Sequence, residues 1–169
     1  VGRLTHQKNQ IILLRAFAKL VKIRSARLLL VGSGSDKENL VNFINQKKIN
    51  DKVKIIPFTP NPFKYISLSD IKVLSSRYEG NPNILLEIAS LKKFIISSNC
   101  KVGPREILQS GKGGILYKVG DYNRLYLILK KIDLKSKYIK SKIENTYKYV
   151  HNNFQKDISN SFIDIIKKL

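Results

Sequence analysis

Short apolar segments alternate with longer amphipathic segments along the chain. Five segments have the length and hydrophobicity of buried strands, at residues 27–31, 53–56, 71–74, 94–97 and 114–117. Apolar positions three and four residues apart predict helices between them, at residues 7–22, 36–48, 63–68, from 81 onward and at 121–131. No strand is expected after residue 134, where the pattern predicts two helices, at residues 137–151 and 155–169.

The predicted strands are apolar on both faces, as is typical of a parallel sheet covered by helices on both sides. Their alternation with helices predicts a Rossmann-like, doubly wound α/β fold. We expect a single domain with a Rossmann-like core at residues 1–132 and C-terminal helices at 133–169. Asp36 and Asp121 are the predicted N-caps of the helices that follow them.

The most informative segment is RYEGNPNILLE, in which a predicted strand leads through a loop into a helix. Asn81 and Pro82 are predicted to be its N-cap and first helical residue, so the free N–H groups at this helix start would attract an anion. Glu79 lies in the loop, whereas Asn83 and Glu87 share one face of the helix. Two carboxylates would repel an anion bound beside them unless cations and hydroxyl groups were also present. A sugar attached to a diphosphate supplies the hydroxyl groups.

The cations are expected near the start of the chain. Arg3 and Lys8 follow what looks like the remnant of a strand and form a candidate diphosphate clamp, although ordinary surface cations would fit the same pattern. Gly32 and Gly34 follow a strand but lack the full GxGxxG fingerprint, so a tight turn and a ligand contact are equally compatible with them. Glu106 lies at the start of a short predicted helix. A favourable interaction with the helix dipole is enough to explain a carboxylate at this position.

Four motifs occur in a fixed order along the chain: GRL with Lys8, GSG at 32–34, EG with Glu87, and GPREIL at 103–108. In this order they resemble the donor-binding, C-terminal domain of glycosyltransferase family 4, the glycosyl transferases group 1, which has the GT-B architecture. The resemblance covers roughly residues 1–130. It implies a retaining glycosyltransferase that transfers a hexose or N-acetylhexosamine from a nucleotide sugar.

The resemblance also implies roles for individual residues. Arg3, Lys8 and Glu79 would be catalytic: the two cations would hold the diphosphate, and Glu79 would hydrogen-bond sugar hydroxyls. Glu87 would accept hydrogen bonds from the ribose. The other expected donor-binding residues are Gly2, Gly32, Phe58, Gly80, Asn81, Asn83 and Leu86. Pro57 and Phe58 depart from the glycine that is more usual near the base, so a UDP-sugar is expected but the base stays open.

Composition limits the alternatives. The chain has 169 residues, with 32 Lys and Arg against 12 Asp and Glu and a formal net charge of +20. Such a charge can attract nucleic acid, an anionic membrane face or a phosphorylated ligand. Nucleic acid is an unexpected partner, because the basic residues are scattered and no RNA-binding or zinc-finger pattern is present. A basic segment at 130–142 leaves peripheral contact with an anionic membrane open, although a solvated basic surface is the simplest explanation.

Nothing in the sequence predicts a metal or a cofactor, because it has no Asp-x-Asp pair, His/Cys cluster or Walker motif. A lone Cys100 and the lack of an apolar stretch of about 18 residues lead us to expect a cytoplasmic domain. The chain has no Met and begins inside an apparent strand, so we expect an excised domain whose N-terminal acceptor domain lies elsewhere.

The expected function is therefore the donor half of a glycosyltransferase that acts on a glycan or lipid-linked acceptor in cell-surface polysaccharide synthesis, with the isolated domain inactive. Two alternatives stay open at this point. One is a non-catalytic basic module that binds anionic membrane or nucleic acid, with steep salt dependence. The other is a sugar-nucleotide epimerase of the same fold, because one fold hosts many reactions.

Overall fold

The structure, a computed structural model, describes residues 1–80 and 82–154. The helices are α1 (Gln10–Leu20), α2 (Lys37–Gln46), α3 (Phe63–Ser67), α4 (Asn83–Ser90), α5 (Pro104–Ile107), α6 (Tyr122–Lys131) and α7 (Lys137–Phe154). The strands are β1 (Leu28–Val31), β2 (Val53–Ile56), β3 (Ile71–Leu74), β4 (Phe94–Ser98) and β5 (Ile115–Tyr117). Strands and helices alternate as the hydrophobic pattern predicts. The predicted helix at 155–169 and the predicted N-cap Asn81 lie outside the described residues.

All strand pairs are parallel, which confirms the expected α/β fold with helices flanking parallel sheets. β1 pairs with β2, with Leu28 opposite Val53. β4 lies between β3 and β5, and Ile71 is opposite Phe94. The ladders form two sheets, β1-β2 and β3-β4-β5. Within the described residues no ladder joins β1 to β3.

Two hydrophobic cores cover opposite faces of the strands. Phe94 and Ile96 of β4 belong to a core with α1, α2 and α6. Ile95, the residue between them, belongs to a second core with α3, α4, α5 and α7. Because successive side chains of a strand point to opposite faces, α1 and α4 pack on opposite sides of the sheets. None of the helices in the described part of the chain is long and apolar enough to cross a membrane.

Asp36 and Asp121 both lie at the predicted N-cap positions, but only one of the two side chains makes a capping hydrogen bond. The Asp121 side chain accepts a hydrogen bond of 2.8 Å from the Arg124 N–H at the start of α6, as expected of an N-cap. Asp36 makes no such bond with its side chain, because its own backbone is already helical, with φ −83° and ψ −1°.

The starts of α1 and α4 also differ from the prediction. α1 begins at Gln10, three residues later than expected, because Asn9 has a left-handed backbone with φ +52°. Pro82 was expected to be the first residue of α4. It precedes that helix instead, with ψ 71°, and Asn83 is the first helical residue.

Candidate functional site

Most of the predicted site residues lie in loops at the carboxyl ends of the strands, and Asn83, Leu86 and Glu87 are on α4. The first nine residues of the chain run beside the loop after β1 and the loop after β3. The Gly2 N–H donates to the Val31 carbonyl and the Leu4 N–H to the Ser33 carbonyl, each at 2.9 Å. On the other side, the Arg77 N–H donates to the Gln7 carbonyl at 2.8 Å. In parallel α/β sheets, ligands bind at this end of the strands.

Lys8 and Glu79 form an ion pair that joins two of these loops. The Lys8 Nζ lies 2.8 Å from both carboxylate oxygens of Glu79. The Glu79 side chain is only 4% exposed and that of Lys8 is 21% exposed. A pair withdrawn from water to this degree is weakly screened by salt, and each charge depends on the other for compensation.

Backbone and side-chain hydrogen bonds hold the two loops in register around this pair. The Ser75 hydroxyl donates to the Lys8 carbonyl at 2.9 Å. The Gln7 amide donates to the Tyr78 carbonyl at 3.1 Å. The Ser76 hydroxyl donates to Oε1 of Glu79. These contacts fix the carboxylate and the ammonium in place before any ligand arrives.

The pair keeps unused hydrogen-bonding capacity. A lysine ammonium has three donors and a carboxylate has about four acceptor positions. Lys8 uses two donors on Glu79, and Glu79 accepts from Lys8 twice and from Ser76 once. About one donor and one acceptor remain on adjacent groups. Such a pair can bind an anionic oxygen and a hydroxyl side by side.

Glu87 lies at the same end of the structure, on α4. Burial raises the pKa of its carboxyl group above the usual value, and the nearby ammonium of Val1 opposes this shift. Its carboxylate makes no hydrogen bond or ion pair with any other residue in the described ranges. A carboxylate that is partly desolvated and unpaired can accept hydrogen bonds from ligand hydroxyl groups.

The raised pKa of Glu87 has a consequence for stability. The folded-state pKa of Glu87 lies above its unfolded value of about 4.5. The folded protein therefore loses stability as the pH rises from the unfolded-state pKa through the folded-state pKa. We therefore expect Glu87→Gln to raise the melting temperature at pH 7 and to have little effect near pH 4. Thermal unfolding of both proteins at the two pH values measures this, with Glu144→Gln as control. An unchanged or lowered melting temperature at pH 7 would contradict it.

Three more of the predicted residues meet at the end of β1. A Cβ atom on Gly32, whose φ is +145°, would lie 2.0 Å from the Gly2 carbonyl oxygen, so the two chain segments cross with no room for a side chain. The Phe58 N–H donates to the Ser33 hydroxyl at 3.2 Å, and Phe58 as a whole is 75% exposed. The loop after β2 is thereby placed beside the glycine crossing.

The remaining predicted residues differ in their exposure and in their position. Gly80 and Asn83 are exposed at the start of α4, with open space around Gly80. Arg3 is exposed, and its guanidinium makes no hydrogen bond with Lys8 and no ion pair with Glu79. Leu86 is 7% exposed and packs in the core, so the structure does not bring its side chain to the site. Asn81 lies outside the described residues.

Sequence reasoning missed Ser76, which follows β3, and Ser98, the last residue of β4. Ser98 is fully buried, and its hydroxyl donates to the Ser76 carbonyl at 2.7 Å. The Cys100 thiol also contacts that carbonyl, at 3.1 Å, and burial raises its pKa. Serines in place of apolar residues at the end of a buried strand are the signal that could have identified them. They support the loop that carries Glu79.

The Gly103-Pro104 motif reaches the same junction. A Cβ atom on Gly103, whose φ is +86°, would lie 2.3 Å from the Pro82 side chain and 3.7 Å from the Gly80 carbonyl oxygen. This motif therefore supports the start of α4. Glu106 lies in the first turn of α5.

The structure is an α/β domain with parallel strands, flanking helices and a pair of opposite charges at the carboxyl ends of the strands. The family model for glycosyl transferases group 1 matches residues 1–149. This chain belongs to that family.

Curated relatives agree with this assignment. The chain is 41% identical over 109 residues to an uncharacterized glycosyltransferase of Methanocaldococcus jannaschii, covering 64% of this chain and 27% of the relative. It is 31% identical over 130 residues to the N-acetylgalactosamine-N,N'-diacetylbacillosaminyl-diphospho-undecaprenol 4-alpha-N-acetylgalactosaminyltransferase of Campylobacter jejuni, covering 77% and 35%. The chain thus spans about a quarter of the length of the first relative and about a third of the length of the second.

Solved structures of GT-B glycosyltransferases share the fold. Anabaena HepE in complex with UDP superposes with a TM-score of 0.83 at 19% identity, covering 99% of this chain and 47% of that one. The apo form of the lipopolysaccharide outer core galactosyltransferase WaaB gives a TM-score of 0.74 at 27% identity, with 99% and 48% covered. The parallel α/β architecture is therefore that of one half of a GT-B enzyme.

Proposed function

We propose that this chain is the donor-binding half of a retaining glycosyltransferase that transfers a hexose or N-acetylhexosamine from a UDP-sugar. The acceptor would be a glycan or a lipid-linked saccharide in cell-surface polysaccharide synthesis. The observation that carries the proposal is the Lys8–Glu79 pair, which offers a cation and a hydroxyl acceptor at the carboxyl ends of the strands.

The relatives support the choice of reaction. The Campylobacter jejuni protein named above is a transferase of N-acetylgalactosamine onto an undecaprenol-linked saccharide. Another relative, from Erwinia amylovora, is an amylovoran biosynthesis glycosyltransferase. HepE structures contain UDP and UDP-glucose. These names favour a UDP-sugar donor and a polysaccharide or lipid-linked acceptor for this chain.

Each residue has a defined part in this proposal. Lys8 directs its remaining donor at a phosphate oxygen, and Arg3, exposed and close in sequence, adds a second cation when the diphosphate is bound. Glu79 accepts a hydrogen bond from a sugar hydroxyl, and Glu87 accepts from the ribose. Negative charge grows on the departing diphosphate during transfer, so preorganised cations and the N–H groups at the start of α4 lower the barrier.

The site alone is only half of an active centre. Transfer requires the donor and the acceptor to be held in near-attack geometry, and the acceptor site is proposed to belong to a second domain. No cofactor and no metal are part of the proposal. Peripheral contact with an anionic membrane through the basic surface would bring the domain close to a lipid-linked acceptor.

Isothermal titration with UDP, GDP and ADP, each followed by its common sugar conjugates, tests the proposal. We expect saturable binding of one nucleotide, weakened by Glu87→Ala for the nucleotide and for its sugar conjugate alike. Glu79→Ala should weaken binding of the sugar conjugate more than binding of the free nucleotide, because its free acceptor position faces the sugar. Glu144→Ala, which removes an exposed carboxylate on α7, is the matched control.

Two outcomes would contradict the proposal. Equal and negligible effects of Glu79→Ala and Glu87→Ala would remove the assigned roles. Failure of every nucleotide to bind, together with salt-sensitive binding to anionic vesicles or DNA, would favour a basic docking module instead.

A further inference from the structure

A basic surface that also exposes apolar side chains lies at the end of α6 and the start of α7. Its apolar members are Leu127, which is 42% exposed, and Tyr138, which is 61% exposed. Its cations are exposed lysines. We call this surface the α6–α7 face and define it by Leu127, Lys130, Lys131, Lys135, Lys137 and Tyr138.

On α6 the apolar and basic members of this face share one side of the helix. Lys130 and Lys131 follow Leu127 by three and four residues, so the three side chains are neighbours on the helix surface. Ile128 and Leu129 are buried in the core. The helix thus buries one apolar side and presents Leu127 among lysines on the other.

Contacts with neighbouring elements make the α6–α7 face continuous. Ile139 of α7 is buried in the same core as Ile132, so the start of α7 packs beside the end of α6. The Arg24 guanidinium donates to the Leu129 and Ile132 carbonyls at 3.2 and 3.0 Å. These bonds place the segment after α1, in which Ile23 is 55% exposed, at the border of the same surface.

The lysines of this face have no carboxylate partners among the described residues. The ion pairs there use other lysines, namely Lys8, Lys52, Lys92 and Lys148. Asp133 is the acidic residue within 127–138, and its carboxylate accepts a hydrogen bond from the Lys135 backbone N–H at 3.0 Å. The face therefore keeps an excess of positive charge, which a surface of phosphate groups would compensate.

The chemistry of the α6–α7 face favours a bilayer over a nucleic acid. Its cations are lysines, whereas bidentate recognition of phosphates and bases relies on arginine. Exposed leucine and tyrosine side chains suit the boundary between lipid headgroups and acyl chains. A lysine can extend its ammonium to a headgroup phosphate while its methylene groups stay near apolar atoms.

We propose that the α6–α7 face docks on an anionic phospholipid surface, with its lysines at the headgroup phosphates and Leu127 and Tyr138 at the membrane interface. α6 follows β5, so its end lies at the amino ends of the strands, whereas the Lys8–Glu79 pair lies at their carboxyl ends. A nucleotide can therefore reach the site while the face is occupied. The inference rests on the proposed function in one respect, because it assigns a surface to the membrane contact included there.

Sedimentation with vesicles tests the proposal by comparing two variants of equal net charge. The face variant replaces the four lysines of the α6–α7 face by Gln. The control variant replaces four exposed lysines elsewhere, by Lys47→Gln, Lys54→Gln, Lys64→Gln and Lys118→Gln. Melting temperatures establish that both variants are folded.

We expect the unmodified protein to bind vesicles of phosphatidylcholine and phosphatidylglycerol in about equal parts, and not vesicles of phosphatidylcholine alone. The face variant should bind the anionic vesicles roughly 100-fold more weakly, because each lysine near the surface contributes to binding. The control variant should stay within about threefold, because charges more than ~10 Å from the membrane are largely screened.

A fluorescence measurement tests the apolar part of the contact. The chain has no tryptophan, so Tyr138→Trp introduces a single fluorophore into the α6–α7 face. Its emission should shift to shorter wavelength on anionic vesicles and should be quenched by lipids with brominated acyl chains. Tyr78→Trp, in the loop after β3 and 58% exposed in the parent residue, is the control and should show neither change.

Equal losses for the face variant and the control variant would overturn the proposal, because general charge would then explain the binding. So would failure of the unmodified protein to bind anionic vesicles, or an unquenched Tyr138→Trp on vesicles that retain the protein. Tighter binding to duplex DNA than to vesicles, lost in the face variant, would assign the face to nucleic acid instead. Nucleotide titration is separate, so binding of no nucleotide would contradict the proposed donor site and leave the vesicle result in place.

Discussion

Lys8→Met will lower the free energy of unfolding by about 3 kcal/mol, because among the described residues it leaves a carboxylate of 4% exposure with one hydroxyl as its sole partner. It will also weaken UDP binding roughly 30-fold, because a charge-assisted hydrogen bond to a phosphate is lost. Binding of UMP will be affected less if the contact is to the outer phosphate. Urea unfolding and isothermal titration measure the two effects.

A second substitution separates stability from binding in this experiment. Lys8→Met combined with Glu79→Gln removes both charges, so most of the lost stability should return while UDP binding stays weak. Lys148→Met, which removes an exposed cation on α7, is the control and should change neither quantity. A double variant that binds UDP as tightly as the unmodified protein would show that Lys8 does not contact the diphosphate.

Gly32→Ala will destabilise the fold by roughly 3 kcal/mol, the second large effect. The added methyl group would lie 2.0 Å from the Gly2 carbonyl oxygen and 2.9 Å from the Gly2 carbonyl carbon. Backbone atoms cannot rotate away as a flexible side chain can, so residues 1–4 would have to move off the end of β1. Urea unfolding with comparison of m-values checks this.

Two other glycines separate the causes of this effect. Gly120→Ala introduces a side chain at φ +81° in open space, so it isolates backbone strain, of order 1 kcal/mol. Gly80→Ala has open space and no unusual φ and should stay within about 0.5 kcal/mol. If Gly32→Ala is no more destabilising than Gly120→Ala, the close approach of the two loops does not limit stability.

Stability and binding are opposed at Glu87. Its desolvated carboxyl group has a raised pKa, so removing the charge is expected to stabilise the folded protein, whereas the proposed contact with ribose hydroxyls requires that group. Residues that bind ligands often lower the stability of the free protein. Glu79 differs, because Lys8 compensates its charge in the absence of ligand.

The expected site was only partly recoverable from sequence. The EG motif and the early cations drew attention to Glu79 and Lys8, and the structure places them in contact. Leu86 was included through the resemblance, yet its side chain faces the core. Ser76 and Ser98 escaped notice, because a serine at a strand end has many ordinary explanations when its neighbours in space are unknown.

Sequence by itself determined the local elements. Alternation of apolar segments located β2 and β3 at their observed bounds, and Asp121 was identified as a cap because an N-cap acts on a backbone group three residues away. These features depend on periodicity and on near neighbours in the chain. Both features are determined by residues that lie close together in the sequence.

Tertiary structure decided which loops meet. The Lys8–Glu79 pair joins residues 71 positions apart. The backbone of Gly2 leaves no room for a side chain at Gly32, which is also distant in sequence. Such contacts arise because packing brings distant loops to the same end of the sheets, and local hydrophobic periodicity carries no information about which loops will be neighbours.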